Sequence, residues 1–229
     1  PAPQAAADYA RDDGQGILLW ADRVERRRVD WLWEGRIPLG KLTTFAGIGG
    51  LGKTFVLLDI AARLSRGLPW PSGGTAPRGK TLFLSGEDDP EDTLAPRLYE
   101  MGADLTQIAF LRMEVLDRFT LADLKTLDKA LEQSGGGVAL VVLDPPASFL
   151  GVVDEHKNAE VRSLLTPLKS WCQRNRLSAV MNSHLNKQSA KVEATARVMG
   201  SVAWVNAVRA ANLFSRDPED RERIFFVPM

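Results

Sequence analysis

The chain has 229 residues, 45% of them hydrophobic and 25% charged, enough for one large α/β domain or two small ones. Lysine plus arginine equals aspartate plus glutamate at 29 each, which excludes a broad positive field and leaves any nucleic-acid contact to local basic loops. One cysteine, Cys172, and two histidines rule out an internal disulfide and a Cys/His zinc site, as expected in a reducing cytoplasm. No apolar run reaches the length of a membrane span, and Pro1-Ala2-Pro3-Gln4 lacks a basic-then-apolar signal pattern. The chain starts without Met and stops at Met229, just after a strand-like stretch over 223–227; a piece of a longer protein is the expectation.

Residues 1–15, rich in Ala, Pro, Gly and Asp, read as a mobile arm, and an amphipathic helix is expected from Ile17 to about Arg28. Together they make a first segment, 1–30, ahead of one domain over 31–229. Trp31 and Trp33 precede the turn Ile37-Pro38-Leu39-Gly40 and are expected to pack on the sheet edge rather than stack on a base. Strand-like Lys41–Ala46 runs into Gly47-Ile48-Gly49-Gly50-Leu51-Gly52-Lys53-Thr54, and a helix follows from Thr54 and Phe55 to Arg63. A second strand, Thr81–Ser85, ends in the acidic run Gly86-Glu87-Asp88-Asp89-Pro90-Glu91-Asp92, where Asp89 is a good helix cap with Pro90 behind it. A short strand at 108–111 and a helix over 121–133, stopped by Ser134-Gly135-Gly136-Gly137, come next. Val138–Asp144 is a continuous apolar run closed by Asp144-Pro145-Pro146, the pattern of a strand buried on both faces. A helix over 159–174, a strand over 179–183, a polar loop over 184–195 and two strands near 210–214 and 224–227 complete the chain. Alternating strands and helices predict an α/β fold with a doubly wound, mostly parallel sheet. The last two strands read as an antiparallel hairpin on one edge.

The run from Gly47 to Thr54 satisfies G-x-x-x-x-G-K-[ST], and it stands between a strand and a helix as a phosphate loop must. Its glycines let backbone N–H groups close around a polyphosphate at a helix N-terminus. Gly47, Gly49, Gly50, Leu51, Gly52, Lys53, Thr54 and Phe55 are therefore the candidate ATP-binding residues, with Lys53 neutralising phosphate charge. Thr54 and Asp144 are the candidate Mg²⁺ ligands, one a hydroxyl after the loop and the other an acid ending a downstream strand. Hydrolysis needs a group to orient or deprotonate water; Glu87, at a neighbouring strand end, is preferred, with Asp88 the alternative and Asp89 spent as the cap. Asn182 and His184 end the strand after that, where a histidine can hydrogen-bond a terminal phosphate; a turn-forming role is the other reading. The loop 187–197 carries Lys187, Lys191 and Arg197 and no aromatic residue, so it either tracks a phosphate backbone by charge or is simply solvated.

From about Trp31 to Val227 the chain resembles the RecA-like ATPases and, within them, the RepA-type hexameric helicases of plasmids and related phage or prophage ATPases. The motifs that carry the resemblance are Trp33–Thr43, the phosphate loop, Ser85–Pro90, His184-Leu185-Asn186-Lys187 and Gly200–Ala210. It implies a homo-oligomeric ring, hexameric in that family, with ATP between subunits, Glu87 as catalytic carboxylate, Asp144 on magnesium and His184 as phosphate sensor. It also implies that Arg209 is an arginine finger for the neighbouring subunit, and that loops 151–158 and 187–197 face single-stranded DNA in a central channel. Asp154 and Glu155 depart from this, since acids grip a phosphate backbone poorly. The expected activity is ATP hydrolysis driving DNA translocation or unwinding in replication of a mobile element. The alternative is a nucleotide-gated single-strand-binding or loading ATPase that does not unwind.

Overall fold

The computed structural model describes residues 19–26, 28–154, 157–185 and 203–229. A small antiparallel hairpin, β1 (Trp31–Trp33) and β2 (Ile37–Pro38), leads into β3 (Leu42–Gly47) and α1 (Lys53–Arg66). Then follow β4 (Lys80–Ser85), a π-type turn over Pro90–Leu94, α2 (Ala95–Glu100), β5 (Ile108–Phe110), α3 (Met113–Leu116), α4 (Leu124–Gln133) and β6 (Val138–Asp144). After α5 (Asn158–Asn175) come β7 (Ser178–His184), α6 (Ala203–Ala207), β8 (Ala210–Arg216) and β9 (Ile224–Pro228). The main sheet has seven strands in the order β5-β4-β6-β7-β3-β8-β9. Every neighbouring pair is parallel except β8 and β9. This is the expected doubly wound, mostly parallel sheet with an antiparallel edge hairpin.

Strand alternation divides the core between the two faces of the sheet. Leu82, Leu84, Val141, Leu143, Ala179 and Met181 face α4 and α5, where they meet Leu127, Leu165, Leu168 and Trp171. Phe45, Phe83, Val142 and Val180 face α1, against Leu57, Leu58, Ile60 and Leu64. Burying one such leucine stabilises the fold by about 2 kcal/mol, so the central strands are held from both sides. The helix α1 stops because Gly67 takes a left-handed conformation and its N–H bonds back to the Arg63 carbonyl. Asp89 caps the turn that follows β4, its carboxylate accepting from the Glu91 N–H at 2.6 Å and from that of Asp92 at 3.4 Å.

Two expectations near the N-terminus need correction. Within 17–28 the described residues form only a 3₁₀ turn, Ala21–Arg23, rather than a helix. Leu19, Trp20 and Val24 are exposed, so the described residues of this segment bury no apolar face, and a short helix without one is marginal in water. The two tryptophans also separate. Trp33 is buried and stacks on Trp70 with ring centroids 4.9 Å apart and planes 7° apart, close to Phe226 of the edge strand, whereas Trp31 is exposed.

Candidate nucleotide site

Four parallel strands, β3, β7, β6 and β4, end side by side with Gly47, His184, Asp144 and Ser85 as their last residues. In open α/β sheets this end is where ligands bind. The loop after β3 turns through Gly50 and Gly52, with φ of 75° and 76°, values that L side chains rarely adopt. An added Cβ at either position would meet nothing within 4 Å. These two glycines are therefore required by backbone conformation, and their open side leaves room for a ligand.

Lys53 opens α1 with its side chain folded back over the loop. Its Nζ donates to the Gly47 and Ile48 carbonyls at 3.0 Å each. Burial pulls the ammonium below its ordinary pKa, while the charges of Asp144 and Glu87 pull it back up. One residue on, the Thr54 hydroxyl donates to Asp144 Oδ2 at 2.8 Å. Asn182 of β7 donates from Nδ2 to Asp144 Oδ1 at 2.6 Å and to Thr54 Oγ1 at 3.2 Å. Burial pushes the Asp144 carboxyl above the usual carboxylate range; the Thr54 and Asn182 hydrogen bonds lower it, and Glu87 and Asp88 raise it again.

Across the cleft, Glu87 Oε2 lies 3.7 Å from His184 Nε2, both side chains about half exposed. Glu87 is aimed by tight packing just before it. The Gly86 N–H donates to the Asp144 carbonyl at 2.7 Å, and a Cβ on Gly86 would come within 2.8 Å of Ser148 Cβ and Oγ. Asp88 is differently engaged. Its backbone carbonyl accepts from the Ser85 hydroxyl at 2.7 Å and its carboxylate lies 3.9 Å from Arg97. The cleft between these groups measures about 580 Å³ and is lined by Gly50, Gly52, Lys53, Thr54, Glu87 and His184 among others. Phe55 stands at its rim, more than half exposed, whereas Leu51 is buried.

Thus Gly47, Gly50, Gly52, Lys53, Thr54, Phe55, Glu87, Asp144 and His184 come together at one end of the sheet. Arg209 does not join them. Its N–H donates to the Leu42 carbonyl at 2.9 Å, at the opposite end of β3 and about 16 Å from Gly47 by strand rise. There it lines a second cleft, about 490 Å³, with Lys41 and Lys169. Of the segment 151–158, residues 151–154 and 157–158 are described, and Lys157 is paired with Glu160 at 3.0 Å. The segment 187–197 lies outside the described residues. Sequence reasoning missed Arg97, which gives no motif signal, and the double hydrogen bond of Asn182, which depends on β7 lying between β3 and β6.

The donor set fits magnesium and not a metal caged by protein. Among the described residues there is no group of three or more His, Cys, Asp or Glu side chains able to hold a metal. One hydroxyl beside one carboxylate suits an ion that keeps waters and takes its other oxygens from phosphates. The Asn182 Oδ1, on the residue that bonds both of them, is buried and has no hydrogen-bond partner among the described residues. No helix among the described residues is long and apolar enough to cross a membrane. No curated protein matches the chain. The family model described as "AAA domain" matches residues 16–190, the stretch that holds the phosphate loop, Glu87, Asp144 and His184. The chain therefore belongs to this family of AAA-type P-loop ATPases.

Proposed function

We propose that the protein is a Mg²⁺-dependent ATPase of the cytoplasm, acting as a homo-oligomeric ring in the manner of RepA-type helicases. In this reading hydrolysis drives translocation on, or unwinding of, DNA during replication of a mobile element. The observation that carries the catalytic part is the convergence of Lys53, Thr54, Asp144, Glu87 and His184 on one cleft at the C-terminal ends of four parallel strands. An arriving polyphosphate competes with the Gly47 and Ile48 carbonyls for the Lys53 ammonium, and the loop amides bind its oxygens. Thr54 and Asp144 would hold the metal, which would neutralise phosphate charge. Glu87 orients the attacking water and takes its proton; His184, beside Glu87, relays the loss of the terminal phosphate to the loop that follows β7.

The oligomeric part rests on Arg209. An exposed arginine at the far end of the sheet from its own phosphate loop serves a neighbouring subunit's nucleotide or none. A second reading is a nucleotide-gated single-strand-binding or loading ATPase without unwinding; Lys157 in the segment 151–158 is paired with Glu160, which counts against that segment as the grip of a translocating motor.

The test is steady-state phosphate release from ATP with and without single-stranded DNA, with Lys53→Ala as the blank. Stimulation by DNA supports a motor or a strand-binding ATPase, and an unwinding assay then separates the two. Turnover indifferent to DNA overturns the motor reading and favours a nucleotide-gated module whose partner is a protein.

A further inference from the structure

We propose that Asn182 is a positioning residue for the metal, a second contact layer that presets Asp144 and Thr54. The inference rests on the magnesium-dependent reading above. Asn182 sits in the middle of the sheet, 2% exposed, on the same strand face as Val180, which packs in the α1-side core. An apolar side chain of similar size would suit that place better, because a buried amide is tolerated only when its hydrogen bonds are made. Its two N–H groups are spent on the two candidate metal ligands, Asp144 Oδ1 at 2.6 Å and Thr54 Oγ1 at 3.2 Å.

One amide thus fixes the carboxylate and the hydroxyl relative to each other across three separate elements, β6, α1 and β7. The remaining atom, Oδ1, is buried and accepts from no group among the described residues. An orphaned acceptor costs free energy in the ligand-free protein, and the residue lines the nucleotide cleft. A hydrogen-bond donor brought in with magnesium and nucleotide would relieve it. Outer partners of this kind tune a metal site by orienting the groups that bind it.

The experiment measures ADP binding to the whole chain by calorimetry, first in EDTA and then across a magnesium titration, for wild type and Asn182→Leu. Asn182→Ala serves as the second variant should the leucine fail to fold. In wild type, magnesium tightens ADP binding. In the variant, affinity in EDTA stays within about twofold, while the magnesium concentration at half-effect rises about tenfold. An unchanged magnesium midpoint in a folded variant overturns the assignment of Asn182. Equal weakening with and without magnesium also overturns it, since that marks a merely structural residue. Wild-type binding that ignores magnesium overturns the magnesium-dependent reading on which the assignment rests.

Discussion

The two ends of the parallel sheet are built on opposite plans. At the C-terminal ends of β3, β4, β6 and β7, acids gather: Glu87, Asp88 and the buried Asp144, with Lys53 folded among them. At the N-terminal end of β3 the second cleft collects Lys41, Lys169 and Arg209, and none of the three has an ion-pair partner among the described residues. Buried polar groups at the first end are bound to one another; the cations at the second end are left to solvent or to another molecule. The difference teaches that one end is preorganised within the chain, whereas the other leaves its cations without a counter-charge among the described residues. A second copy, presenting its acidic end and its nucleotide, is a partner of the right charge.

The sharpest way to break this comparison is to split the ends between subunits. Arg209→Ala alone should lose turnover by roughly 10³-fold or more. Mixed with Lys53→Ala it should regain a measurable fraction, read as phosphate release across mixing ratios. No recovery on mixing means that Arg209 does not act in trans. Next, Glu87→Gln should cut turnover by roughly 10³-fold while nucleotide affinity stays near wild type. Single-turnover phosphate release beside fluorescent-nucleotide binding checks this, and normal turnover moves the role to Asp88.

A smaller effect is expected from Gly86→Ala. The added methyl meets Ser148 and should cost about 1–3 kcal/mol of stability, read by urea denaturation; an unchanged midpoint would mean that the turn after β6 yields freely. The smallest effect concerns Cys172, which lines neither cleft. Burial pushes its thiol up to about 12, so the thiolate is almost absent at pH 8. A thiol reagent should then modify it only on unfolding and leave turnover unchanged. Rapid labelling of the native protein would contradict that burial.

Much of the first end was legible because its signals are local. The phosphate loop, the apolar run into Asp144 and the Asp89-Pro90 cap each fit within a dozen residues. The strand order was not, since nothing local says that β7 inserts between β3 and β6. That insertion is what brings Asn182 to Thr54 and Asp144. For the same reason Arg209 gave no positional signal of its own; its distance from the loop follows from the register of β8 on β3. The reading of 17–28 as a helix failed because periodicity says nothing about whether a partner face exists. Leu19, Trp20 and Val24 have the spacing without the surface.

The stacked pair of Trp33 and Trp70 equips the molecule with an intrinsic optical gauge. One indole belongs to the hairpin before β3 and the other to the segment after α1, so the pair brackets the strand, loop and helix that carry Lys53. Its Trp33 N–H is further tied to Ser72 at 2.8 Å. Any hinge of α1 on the sheet as the cleft fills shears the stack, and the near-ultraviolet circular dichroism and indole emission change with it. Spectra of the unlabelled protein with and without nucleotide would read such a hinge directly.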